Sequence, residues 1–230
     1  MTKIKKNISK SEETQKRILQ IALEQFRQKG FEATTMRDIA SLVGLSLGAA
    51  YYYFDSKEAI VLAYYAQTQN EHERLAAEIF AKTSDLKERL SGAFHLKLDI
   101  LRNDRKLLGA LFRTIGDPEA PLSVFAQKTT PLRAQAISLF RQAVSVAEMP
   151  EDLKDLMASS LWGLHLAVLL YFLHDTSENQ QQTHSLVDGL IELTLQLAVL
   201  VALPGMEDTR ERLVSLLSFA KILRLPLPPQ

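Results

Sequence analysis

The chain has 230 residues, of which 47% are hydrophobic, and its 27 Lys and Arg balance 27 Asp and Glu. This length and apolar content support a sizeable globular core. The absence of cysteine excludes a disulfide framework and any thiolate metal site. The N-terminus carries basic residues but no apolar core of a signal peptide, which predicts a cytoplasmic protein.

The sequence is typical of an all-α protein. Runs of Leu, Ala, Glu, Lys and Arg occur throughout, without the alternation of apolar and polar residues that strands show. The longest apolar stretch, residues 161–173, contains Gly163 and His165 and is shorter than the ~20 residues of a membrane span. We therefore predict a buried helix and no association with a membrane.

Positive charge is concentrated at the front of the chain. Residues 1–60 hold 10 Lys and Arg against 7 Asp and Glu, so the remainder is net acidic. Four lysines, Lys3, Lys5, Lys6 and Lys10, predict a short solvated basic arm.

Three helices are predicted in the first quarter of the chain. The first covers residues 11–29, with Ile18, Ala22 and Phe26 on one face and Gly30 as a left-handed cap. In the second, Thr35 and Asp38 form a capping box, and the helix ends at Gly44.

The third predicted helix, residues 47–54, is capped by Ser46 and follows a tight glycine turn. Two short helices joined in this way form a helix-turn-helix, whose second helix can enter the major groove of DNA.

Three consecutive tyrosines lie in this third helix. Aromatic residues at helical spacing usually belong to a core, but three neighbours point about 100° apart and cannot share one buried face. With Ala50 and Phe54 on the packed side, Tyr52 points outward and Tyr51 and Tyr53 flank it. Flanking phenols can bond phosphates, and Tyr52 can reach base edges.

The run "TTMRDIASLVGLSLGAAYYYFDSKEAI" resembles the DNA-binding segment of the TetR family of transcriptional regulators. The matching features are the T-x-x-x-I-A pattern, the glycine turn, the capping serine, G-x-x-Y-x-Y-F and the S-K-E that follows. The resemblance covers roughly residues 12–62. It implies a helix-turn-helix DNA-binding domain at residues 1–55, which includes the arm, and a helical ligand-binding and dimerisation domain at residues 56–230.

The resemblance implies roles for individual positions. Phosphate contacts are expected from Thr35, Arg37, Tyr51, Tyr53 and Lys57, and Arg37 also suits a guanine edge. An exposed Arg37 that pairs with nearby acids is the alternative. Positions that face the bases are Gly48, Ala49 and Tyr52. Leu47 and Ala49, also in the predicted DNA-binding set, stand where many members have polar residues, so readout is expected to depend on DNA shape as well.

Further helices are predicted at residues 56–81, 84–102, 104–115, 122–148, 150–174, 183–203 and 209–223, with a break at residues 129–131. The helices at 150–174 and 183–203 are apolar on more than one side, so each must pack against other residues on more than one side. We predict that these two pair with their copies in a homodimer, and the resemblance implies the same.

The helical domain is expected to enclose a small-molecule effector that is apolar or amphipathic. Phe112, Trp162 and His165 are the predicted lining residues, and a core histidine is the alternative interpretation of His165. No cofactor or metal is predicted.

No catalytic motif accompanies the five histidines, so we predict that the chain is not an enzyme. The acid and histidine neighbours at residues 71–73 and 174–175 are expected on solvated surface. The predicted function is a ligand-responsive regulator, most consistent with a repressor, that binds a palindromic double-stranded operator. The alternative is a dimeric helical adaptor that binds proteins.

Overall fold

The computed structural model describes residues 9–112 and 120–219. Within these ranges the chain is helical and has no β-strand, which confirms the predicted fold class. The chain divides into two compact units, Met1–Gln67 with Lys106–Lys128, and Thr68–Arg105 with Thr129–Gln230. The functional division at residue 55 stays a prediction. Lys3, Lys5 and Lys6 of the predicted arm lie outside the described residues, and Lys10 begins the first helix.

The described helices follow the predicted order with small shifts at their ends. The first unit contains α1 (Lys10–Lys29), α2 (Met36–Val43), α3 (Leu47–Tyr53), the start of α4 (Lys57–Phe80) and most of α6 (Arg105–Phe112). The second contains the rest of α4 with α5 (Leu86–Leu101), α7 (Thr130–Ala143), α8 (Glu151–His174), α9 (Gln181–Ala202) and α10 (Glu207–Phe219).

The predicted apolar face of α1 is buried, because Ile18, Ala22 and Phe26 all lie in the core of the first unit. Gly30 differs from prediction: its φ of 89° is positive, but its ψ of 157° is extended and not left-handed helical. Glycine tolerates this backbone because it has no Cβ. The extended exit brings the Phe31 ring to 5.2 Å from the Phe26 ring, edge to face.

The predicted helix at residues 122–148 is wrong in its first part. Residues 120–126 form turns, and α7 begins at Thr130 with Pro131 in its first turn. Proline lacks the N–H that a helix interior needs, but the first turn leaves that donor unused in any case. Pro131 therefore begins a helix at the place where a break was predicted. Residues 113–115 and 220–223 of two other predicted helices lie outside the described residues.

Two helical segments in the described residues, Glu151–His174 and Glu178–Ala202, are long and apolar enough to cross a membrane by length and composition alone. They differ in burial, since 56% of the apolar window in the first is buried inside the fold but only 11% in the second. The α8 helix is thus largely interior to the second unit, whereas α9 leaves leucines uncovered.

The turn between α8 and α9 is organised by a buried carboxylate. Asp175 Oδ1 accepts hydrogen bonds from the Ser177 N–H at 2.8 Å and hydroxyl at 2.6 Å, and Oδ2 accepts from the Thr183 N–H at 2.8 Å and hydroxyl at 2.6 Å. Desolvation raises the pKa of Asp175, but these hydrogen bonds outweigh it and hold the pKa below its ordinary value. They help to hold the turn in which Asn179 and Gln180 have positive φ.

We expect Asp175→Asn to lower the free energy of unfolding by about 1.5–3 kcal/mol, because an amide nitrogen would face hydrogen-bond donors. The pKa of Asp175 is lower in the folded state, so its stabilisation is present above about pH 4 and is lost as the pH falls through the folded pKa. Urea unfolding should therefore show that the free energy of unfolding falls less steeply between pH 5 and pH 3 in the variant than in wild type. Glu178→Gln, at an exposed position in the same turn, is the control. Equal slopes for Asp175→Asn and wild type would contradict this account.

Candidate nucleic-acid interface

Local hydrogen bonds fix the start of α2 and the turn between α2 and α3. Thr35 Oγ1 accepts from the Asp38 N–H at 3.1 Å, and the Asp38 carboxylate accepts from the Thr35 N–H at 3.0 Å, which confirms the capping box. Gly44 is left-handed, with φ 77° and ψ 32°, and Ser46 Oγ accepts from the Ala49 N–H at 3.2 Å. Hydrogen bonds from the Thr35 backbone and hydroxyl lower the pKa of Asp38.

The α3 helix buries one side and exposes the other, as its period predicts. Ala50 is 0% exposed and Phe54 is buried, whereas Tyr52 is 82% exposed. Tyr51 is exposed and Tyr53 is half-buried, with its ring 5.3 Å from the ring of Tyr52. The predicted outward orientation of Tyr52 is confirmed.

The other predicted DNA-binding residues are accessible to different degrees. Thr35, Arg37 and Gly48 are exposed, and Leu47 and Ala49 are half-buried. The position of a Cβ on Gly48 has no neighbour within 4 Å among the described residues, so no packing in the first unit requires glycine there. This open space leaves the helix backbone accessible.

Lys57 has a structural role that the sequence did not indicate. Its ammonium donates to the Phe31 carbonyl at 2.8 Å and the Glu32 carbonyl at 3.4 Å, and it lies 4.5 Å from the centroid of the Phe31 ring. It therefore ties the start of α4 to the segment between α1 and α2. An ammonium has three N–H donors, so these two bonds are compatible with a further bond to phosphate.

Two family models match the chain over most of its length. "Bacterial regulatory proteins, tetR family" matches residues 18–64, which contain α2, α3 and the Ser46 turn. "Tetracyclin repressor-like, C-terminal domain" matches residues 89–213 and alone spans more than half of the chain. The chain belongs to the TetR family.

Individual TetR-family relatives match shorter segments. The chain is 36% identical over 74 residues to the HTH-type transcriptional regulator YerO of Bacillus subtilis, which is 30% of this chain and 26% of YerO. It is 48% identical over 44 residues to the HTH-type transcriptional repressor KstR2 of Rhodococcus jostii, 19% of this chain and 22% of KstR2. The matches thus span about a quarter of these curated relatives.

The fold likeness extends over most of the chain. A TetR-family transcriptional regulator from Syntrophomonas wolfei superposes with a TM-score of 0.64, over 83% of this chain and 97% of that one. At 19% identity, this likeness shows the shared fold.

The predicted ligand-lining residues fall in different units. Phe112, at the end of α6, is half-buried in the first unit, whereas Trp162 and His165 are buried on α8 in the second. The His165 ring lies 5.5 Å from Phe94 and 5.6 Å from Phe140, centroid to centroid. Its Nε2 is buried and has no hydrogen-bond partner among the described residues. His165 is therefore a core histidine whose Nε2 is unsatisfied within that part of the chain.

Two side chains predicted on solvated surface are buried instead. His72 on α4 and Asp175 after α8 are both in the interior of the second unit, so that prediction is wrong for them. His72 bonds Ala93, 21 residues further along the chain, whereas Asp175 accepts from Ser177 and Thr183, two and eight residues on. The neighbours of His72 in the sequence do not indicate Ala93 as its partner.

Sequence analysis also missed Lys97, which is buried on α5. The signal was present: Leu90, Phe94, Lys97 and Leu101 follow the spacing of one helix face, and Lys97 is the charged member of that face. Among the residues that the structure describes, no group of three or more His, Asp or Glu side chains is arranged to hold a metal ion.

The packing of α3 gives a stability test. Ala50→Leu inserts carbon atoms into a buried site and should lower the free energy of unfolding by about 1–3 kcal/mol. Tyr52→Ala, two residues further on the exposed side, should change it by less than about 0.5 kcal/mol. Urea unfolding followed by circular dichroism measures both, and a larger loss for Tyr52→Ala would show that its ring is packed.

Proposed function

We propose that this TetR-family chain is a sequence-specific DNA-binding transcriptional regulator that acts as a homodimer and releases its operator when a small molecule binds. The observation that carries this proposal is the outer face of α3, where Tyr52 is 82% exposed on a helix that Ser46 caps and Ala50 packs on its opposite side. The family match over residues 18–64 supports DNA binding, and none of the matches supports the adaptor alternative. The match to a transcriptional repressor favours repression.

Roles within the interface follow from side-chain chemistry. Thr35, Arg37, Tyr51, Tyr53 and Lys57 contact phosphates and set the register of the protein on DNA. The base-facing surface consists of Leu47, Gly48, Ala49 and Tyr52, with Arg37 also able to bond guanine. Only Tyr52 and Arg37 in this set offer side-chain hydrogen bonds to bases, so deformability of the DNA contributes to sequence preference.

Replacing Lys57 and Tyr52 separates the two kinds of contact. Lys57→Met keeps an apolar stem beside Phe31 but removes the charge, so the slope of log affinity against log salt should flatten by about one unit per subunit. Tyr52→Ala should alter sequence preference and leave that slope unchanged. Fluorescence anisotropy with operators selected from random DNA measures both effects. Lys82→Met, an exposed lysine outside the predicted set, is the control.

If both variants weaken binding equally on every DNA sequence, with no change in salt slope, the division into phosphate and base contacts is wrong. If the wild-type protein selects no DNA sequence at low salt, the proposed function itself fails.

The homodimer is supported by the exposed side of α9. Leu186, Leu193, Leu197 and Leu200 follow one stripe at heptad-like spacing, and each is at least 36% exposed in the single chain. Leu170 and Tyr171 add exposed apolar surface on α8, the helix that packs beside α9. A row of exposed apolar side chains of this kind indicates an interaction site. A two-fold axis here pairs the helices of two subunits and matches a palindromic operator, with half-sites about 34–36 Å or a multiple apart.

Leu197→Lys should dissociate this dimer, because two ammonium groups would be buried across the two-fold axis without partners. Sedimentation velocity at micromolar concentration should show twice 25.9 kDa for wild type and a 25.9 kDa species for the variant. Leu42→Lys is a matched control, since Leu42 and Leu197 are both 50% exposed. A wild-type monomer, or equal dissociation of both variants, would contradict the assignment to α9.

The effector is proposed to be a small apolar or amphipathic molecule bound in the second unit, with Trp162 and His165 in contact with it. Phe112 lies in the first unit and is not part of this proposed site. The α4 helix is continuous from Lys57 to Phe80 and carries both the proposed phosphate contact Lys57 and the buried His72. A ligand that displaces this helix can therefore act on the DNA-binding end of the same element.

A further inference from the structure

A cluster of buried polar side chains lies within the second unit, among α4, α5 and α8. Its members are Gln69 and His72 on α4, Lys97 on α5 and His165 on α8, and all four are more than nine-tenths buried. Lys97 Nζ donates to Gln69 Oε1 at 3.2 Å, and the His72 and His165 rings are 6.1 Å apart. The rings of Phe94 and Phe140 lie beside His165.

Only one member of the cluster carries a charge near neutral pH. Burial and the charge of Lys97 lower the pKa of His72 to about 3, and the same two causes hold the pKa of His165 well below its ordinary value. His72 is therefore neutral and donates its Nε2–H to the Ala93 carbonyl at 2.8 Å. Burial lowers the pKa of Lys97 to about 8, so its ammonium persists at pH 7.

The charge on Lys97 is incompletely compensated. Its hydrogen bond within the described residues goes to a neutral amide, and Glu73 acts on it without forming an ion pair within 4.0 Å. The Glu73 carboxylate instead accepts a hydrogen bond from Gln135 at 3.2 Å. Burial of an ammonium with such partners destabilises the folded state, because a hydrogen bond to a neutral amide stabilises the charge less than the water that burial removes.

The cluster also has more donors than acceptors. Lys97 has three N–H donors and uses one on Gln69, whose own Nε2 is buried and unpartnered among the described residues. The orientation of the Gln69 amide is fixed by Lys97, since the opposite orientation would direct N–H groups at the ammonium. His165 Nε2 is also unpartnered among the described residues, and it donates or accepts according to the tautomer of the neutral ring. The missing element is an acceptor group with negative charge.

We infer that this cluster binds the carboxylate of a monoanionic effector, with Lys97 and the Gln69 amide as donors to its two oxygens and the Phe94 and Phe140 rings beside its apolar body. The inference rests on the proposed function and specifies the ligand class of that regulator. A carboxylate supplies two acceptor oxygens and one negative charge, which matches one buried ammonium. A dianionic phosphate would leave excess negative charge near Glu73.

The test uses the whole 230-residue chain and matched probes that share a carbon skeleton. The probes are straight-chain carboxylates of graded length with 4-phenylbutanoate, the corresponding alcohols and the corresponding amines. Calorimetric titration should show carboxylates binding at least about tenfold more tightly than their alcohols, the ratio expected for charge-assisted hydrogen bonds. Lys97→Met should abolish this preference. Lys87→Met, on the same helix but exposed, should retain it.

A second readout follows the Lys97 amine itself. Its pKa, measured by NMR of the labelled side chain, should rise by at least about one unit when a carboxylate binds, since the anion stabilises the ammonium. The other titratable groups near it are Glu73 and His72 on α4 and His165 on α8. NMR of labelled histidine rings should show both histidines neutral at pH 7.

Two results would overturn the inference. One is equal binding of carboxylates and alcohols, or a preference that survives in Lys97→Met. The other is that no carboxylate binds, in which case the cluster holds water only. Operator binding, and its release by uncharged probes, would then still support the proposed function. If the protein binds carboxylates but selects no DNA sequence, the inferred carboxylate site is supported and the proposed regulatory function is wrong.

Discussion

The geometry of a short helix packed on one side is the constraint on which the proposed function depends. Residues on α3 advance by about 100° each, so burial of Ala50 leaves no choice about Tyr52 two residues later. Seven residues, capped at Ser46, cannot turn far enough to hide three adjacent rings. The exposed phenol is thus a consequence of packing as well as a means of contact.

Features set by neighbouring residues could be predicted from the sequence. The caps at Thr35 and Ser46, the left-handed Gly44 and the buried face of α1 each depend on groups within a few positions. The ψ of Gly30 could not be predicted, because it depends on where Phe31 packs. Residues 120–126, by contrast, contain Pro121 with the weak helix formers Ser123 and Val124, and the predicted helix gave this composition too little weight.

Burial of polar groups was the least predictable feature for a related reason. His72 stands between two glutamates in the sequence, and its partner Ala93 comes from another helix. Asp175 bonds Ser177 two residues on, but its bonds with Thr183 require the turn that returns the chain to the end of α8. The two apolar helices show the same dependence. Composition makes α8 and α9 nearly equivalent, yet the fold covers one and leaves the leucine stripe of the other open. The sequence indicated that both helices need packing partners on more than one side, and the structure shows that α9 lacks such partners within the single chain.

The cluster around Lys97 and the stripe on α9 are departures from what stability alone would favour. A methionine at position 97 would fill similar space without desolvating a charge, and polar residues on α9 would avoid exposed apolar surface. Proteins commonly carry such departures at functional sites, where a partner supplies the missing interaction. The two departures differ in chemistry: the stripe lacks apolar cover over a long surface, which another helix can provide, whereas the cluster lacks a single acceptor in a buried position. A second subunit fits the first requirement, and a small anion that enters the fold fits the second.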